Sequence, residues 1–100
     1  MSSEAPQGTY GRNFDPPREY GELPPDERAE LLLWIWHNLK PTRTAIYRSS
    51  SYGLKHHFED DTGLYIGNGA FKGAMLEAGY VPVDPRERNW RFRCTKARAA

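Results

Sequence analysis

The side chains best equipped for chemistry lie together at His56-His57-Phe58-Glu59-Asp60-Asp61, where two imidazoles and three carboxylates fall within six positions. Neighbouring residues on a helix point about 100° apart, so His56 and His57 do not converge on one ion. His56 with Asp60, and His57 with Asp61, stand at i,i+4, the pattern of a solvated helix face. No third ligand follows at a diagnostic spacing. Gly67-x-Gly69-x-x-x-Gly73 has the wrong spacing for a dinucleotide loop, and no strand–helix–strand unit surrounds it. The chain shows neither a phosphate-cradling glycine loop nor a nucleophile with a recognisable base. Its single cysteine, Cys94, makes no internal disulfide and reads as a small buried apolar residue in a reducing, cytoplasmic setting. These residues predict a protein without catalysis, metal or cofactor.

Charge offers a second kind of chemistry. Across 100 residues, 14 Lys and Arg against 13 Asp and Glu leave a net charge of +1. That near-neutrality is a cancellation. Residues 1–39 hold three basic against seven acidic side chains, a balance of −4, and residues 40–100 hold eleven against six, a balance of +5. Arg86, Arg88, Arg91, Arg93, Lys96 and Arg98 face only Glu87. Such asymmetry points to a polyanionic partner. The longest apolar run is Leu31 to Trp36, far short of a membrane span.

One small domain is all that this length supports. Leu, Ile, Val and Phe number only 17, and three Trp and six Tyr supply the missing apolar mass. Five of the eight prolines fall in residues 1–25, which predicts a flexible arm that Tyr10, Phe14 and Tyr20 tack onto the domain. The domain itself is expected over 26–96, with a disordered tail at 97–100. Leu23-Pro24-Pro25-Asp26 starts a helix running from Glu27 to Leu39, and Lys40-Pro41 stops it. Its apolar residues surround the axis, so Leu32, Leu33 and Trp36 form a candidate partner or dimer surface. Thr42 to Arg48 reads equally as a short strand or one helical turn. Ser49-Ser50-Ser51 caps a second helix to about Asp61, closed by Gly63. A third helix covers Gly69 to Ala78, with Phe71, Ala74, Met75 and Ala78 inward and Lys72, Gly73, Leu76 and Glu77 outward. Tyr80 to Val83 and Trp90 to Cys94 then form a hairpin, the second strand alternating Trp90, Phe92 and Cys94 with Arg91 and Arg93.

Three helices followed by a two-stranded β-hairpin make an α+β order that resembles a winged helix-turn-helix domain over roughly 26–96. The strings Ser51-Tyr52-Gly53-Leu54-Lys55-His56, Asn68-Gly69-x-Phe71-Lys72 and Ala74-Met75-x-x-Ala78-Gly79-Tyr80 are similar to small uncharacterised proteins of bacteriophages and integrated mobile elements. The link from Thr62 to Gly67 is longer than the usual turn of the motif. By the resemblance, helix 68–78 is the recognition helix and the hairpin is the wing. The implied function is regulatory binding of double-stranded DNA. Arg48, Ser50, Ser51, Lys55 and Lys72 would hold phosphates, Asn68 would reach base edges, and Arg86, Arg88, Arg91 and Arg93 would serve as the wing contacts. The alternative is a protein-interaction module: a homodimer, or a phage protein that binds and inhibits a host nucleic-acid-processing or defence complex.

Overall fold

The computed structural model describes residues 15–97; the rest of the expected arm, with Tyr10 and Phe14, and Arg98 of the tail lie outside them. The fold is mixed α+β. Helix α1 spans Pro25–Asn38, strand β1 Leu39–Pro41, helix α2 Ser51–Thr62, helix α3 Asn68–Glu77 and strand β2 Cys94–Lys96, and a 3-10 helix at Pro17–Glu22 precedes them.

Helix α1 opens on Pro25 with Asp26 and Glu27 in its first turn, where carboxylates meet the positive helix end. It buries Leu31, Trp34 and Ile35, a stripe at i, i+3, i+4. The apolar surround expected for this helix is therefore only half used: Leu33 keeps 54% and Trp36 74% of its surface exposed. Lys40 precedes a proline, which disfavours helical backbone there, and the chain passes from Asn38 directly into β1. Helix α2 turns Leu54 and Phe58 inward and ends at Gly63, whose φ of 79° needs no Cβ. Trp34 meets Phe58 and Phe71 edge-on at 5.8 and 6.2 Å between ring centroids. These contacts tie all three helices to one core.

The expected hairpin takes a different form. Burial along 90–94 alternates as read, with Trp90, Phe92 and Cys94 inside and Arg91 and Arg93 outside. Its regular partner, however, is β1: Leu39 pairs with Lys96, Lys40 with Thr95 and Pro41 with Cys94, antiparallel. On the other side only one bridge forms, Pro82 with Phe92, next to a hydrogen bond from the Val83 amide to the Arg91 carbonyl at 2.8 Å. Pro82 carries no N–H, so a full ladder cannot develop there. Residues 42–50 form neither strand nor helical turn. They run as a loop along the same segment, Thr42 and Tyr47 donating amides to the carbonyls of Arg93 and Phe92, and Ser51 at the start of α2 donating to that of Trp90. Segment 90–97 is thus the centre of the sheet-like layer. Buried Cys94 has its thiol pushed up to about 11 by desolvation.

Residues 15–23 are not a free arm. The 3-10 helix lies across α3, and Asn68 through Met75 are all buried. Lys72 and Gly73, expected outward, are under this strap, while Ala78, expected inward, is exposed. A methyl group on Gly69 would collide with the Pro16 carbonyl, and one on Gly73 with the Pro17 carbonyl and the Tyr20 Cβ. Gly73→Ala therefore loses more through overpacking, about 1–3 kcal/mol, than it gains in helix propensity, about 1 kcal/mol. The expected outcome is a lower thermal midpoint together with faster tryptic cleavage after Arg18. An unchanged midpoint and cleavage rate would show that the strap does not rest on α3.

Candidate nucleic-acid interface

The ten side chains expected to meet DNA separate into three groups. Asn68, Lys72, Ser51 and Lys55 are buried. The Ser51 hydroxyl accepts the Trp90 amide at 3.0 Å, fastening α2 to segment 90–97. Lys55 is paired with Glu59 at 2.9 Å, and its ammonium lies 4.8 Å from the Tyr65 ring centroid. Burial alone would raise the Glu59 carboxyl. Hydrogen bonds from Lys55 and the Ile66 amide outweigh it, together with the charges of Lys55 and His56, and hold the carboxyl below its ordinary range.

Asn68 and Lys72 belong to the contact with the strap. The Asn68 amide donates to Asp15 Oδ2 at 3.2 Å and to Asn89 Oδ1 at 2.9 Å, and its own Oδ1 is buried without a hydrogen-bond partner. Arg88 pairs with the same Asp15 oxygen at 3.0 Å. Desolvation pushes the Asp15 carboxyl up, but Arg88, Asn68 and the field of Lys72 pull it below its usual value. Burial lowers Lys72, against the attraction of Asp15 and Glu19, and its ammonium sits 4.9 Å from the Trp90 ring centroid. Glu19 is raised by desolvation and by the nearby carboxylates of Asp15 and Glu22. The face expected to read bases is occupied by the chain's own acidic segment.

A third group stays in solvent. Arg86 is exposed but engaged, its guanidinium 3.1 Å from Asp84. Arg48, Arg91 and Arg93 are exposed and make no ion pair among the described residues; Ser50, just before α2, is half-buried. Directly opposed residues in an antiparallel pair share a face, and residues two apart on a strand do too. Lys40, opposite Thr95, therefore projects on the same side as Arg93 and Arg91. Arg43 and Arg48 sit in the loop bonded along that segment. Lys96 is opposite buried Leu39 and lines a small polar cavity of about 160 Å³ with Asn38, His57 and Asp61. Asp61 there already accepts the Trp34 indole N–H at 2.8 Å.

Lys40 and Arg43 were missing from the sequence-predicted site. A usable signal existed: no carboxylate occurs between Glu30 and Glu59, nor after Glu87. The acid-free stretches 31–58 and 88–97 become one surface only through the pairing of β1 with β2. No group of three or more His, Cys, Asp or Glu is arranged to hold a metal among the described residues, and no helix there is long and apolar enough to cross a membrane. No family model, curated protein or solved structure matches this chain.

The Lys55–Glu59 pair generates a pH prediction. A carboxyl held below its ordinary value stabilises the fold above the unfolded pKa, near 4.5, and that stability is lost as pH falls through the folded value. Glu59→Gln leaves a buried ammonium unpaired, at a cost of about 3 kcal/mol at neutral pH. In thermal melts the gap between the native chain and Glu59→Gln should be wide at pH 7 and close progressively below pH 4.5. A gap that is constant with pH would contradict the assignment.

Proposed function

We propose that this chain is a small DNA-binding protein of winged-helix type, acting by binding rather than catalysis, and that it grips the phosphate backbone through Lys40, Arg91 and Arg93 with Arg43 and Arg48 beside them. The order helix, strand, helix, helix, bridge, strand, with the first strand paired to the last, supports the winged-helix reading. The observation that carries the function is the outer face of segment 90–97. It is cationic, exposed and free of carboxylates, so nothing within the surface neutralises it before a polyanion arrives. Phosphate contacts position a protein on DNA without reading sequence. Base readout by α3 would require the strap to leave Asn68 and Lys72, so this mode of binding is backbone-dominated.

A protein-interaction role, such as occupying a host complex, is the second reading. It draws on exposed Leu33 and Trp36 rather than on the basic face.

Fluorescence anisotropy with a labelled duplex separates the two readings. Three to five phosphate contacts predict that log K falls against log salt with a slope of about −3 to −5. Replacing both Arg91 and Arg93 by Ala should shallow that slope by about 2, while Arg86→Ala, already paired within its own turn, should change it little. Absence of binding at low salt, or a slope indifferent to Arg91 and Arg93, would overturn the proposal.

A further inference from the structure

Beside α1 lies an open groove of about 1050 Å³, walled by Leu32, Leu33 and Trp36 on one side and by Ala78, Gly79 and Tyr80 on the other. Trp36 projects from this surface as a knob, and Ala78 and Gly79 leave a hollow in the opposite wall beside Tyr80. A knob beside a hollow on one face is the arrangement that a two-fold axis can satisfy twice, each copy inserting into the other.

The charges along α1 specify how. Asp26, Glu30, Leu33 and His37 follow one another at spacings of three and four, so they share the exposed side of the helix. The amino end of that stripe carries Asp26, Glu27 and Glu30; just past its carboxyl end stands Lys40, which also lines the groove. Two copies laid parallel would set acid against acid and Lys40 against Lys40. Laid antiparallel with the axis between Leu32 and Leu33, they set each Trp36 against the partner's Ala29 and bring each Lys40 within one position of the partner's Asp26. Large meets small and cation meets anion, and the two helix dipoles are opposed as well.

We infer that the α1 face is a homodimer interface, formed by antiparallel packing of α1 on α1 of a second copy through Leu33 and Trp36. Because one 14-residue helix and its groove make a patch below the roughly 800 Å² per partner of a standard stable interface, the dimer is a concentration-dependent one. It does not rest on the DNA-binding reading, although the two faces share Lys40, so Trp36→Ala and Leu33→Asp are the variants that separate dimer formation from DNA binding.

Sedimentation velocity on the full chain across a concentration series tests this. The expected mass rises from 11.5 kDa toward twice that value with concentration. Trp36→Ala and Leu33→Asp, both at exposed positions, should keep the thermal melt and weaken association by about 30-fold or more. The decisive variants exchange charge. Asp26→Lys with Glu30→Lys should weaken the dimer, Lys40→Glu should weaken it alone, and the three changes combined should restore it. A wild-type chain that stays at 11.5 kDa throughout overturns the inference. So does a dimer indifferent to Trp36→Ala, or one that the combined charge exchange fails to restore.

Discussion

Extended backbone sends successive side chains to opposite faces, and residues 90–97 put that constraint to two uses at once. Trp90, Phe92 and Cys94 go into the core, so Arg91 and Arg93 have no choice but solvent. The same segment's backbone receives β1, the 42–50 loop and the start of α2 along one edge and Pro82–Val83 along the other. One strand's burial therefore fixes where α1 ends, how α2 begins through Ser51, and which cations collect outside. A slip of one residue would exchange two aromatic rings for two guanidinium groups.

The strap works by a different constraint, close approach. Gly69 and Gly73 leave no side chain on one face of α3, and the backbone of residues 15–17 and the Tyr20 side chain lie against the space they vacate. Asp15 then supplies a carboxylate where Asn68, Lys72 and Arg88 converge. The outcome is a helix buried on every side over its first eight residues. Glycines that cost helix propensity are repaid in packing against a non-helical segment.

Much of this was legible in the residues. Pro24-Pro25-Asp26, Lys40-Pro41, Gly63 and Gly79 punctuate the three helices because their effects are local, acting through φ and missing N–H groups. The alternation at 90–94 was legible for the same reason. What escaped was non-local. Nothing in Leu39-Lys40-Pro41 announces a partner more than 50 positions later, so Lys40 and Arg43 stayed out of the expected site. A proline-rich arm and a docked strap share one composition, and only the paired glycines of α3 hinted at the docking. Lys55 and Lys72 looked like surface cations because lysine is seldom buried; their carboxylates and aromatic rings are supplied by folding.

The central claim is that the outer face of segment 90–97, and not α3, is the surface that meets DNA. A titration of the isotope-labelled chain with a short duplex, followed by amide chemical shifts, tests it most directly. The account predicts shifts confined to residues 40–48 and 91–96, with the strap and residues 68–75 unmoved. Large shifts across 68–75, together with loss of the strap's signals from their docked positions, would contradict it and return the recognition role to α3.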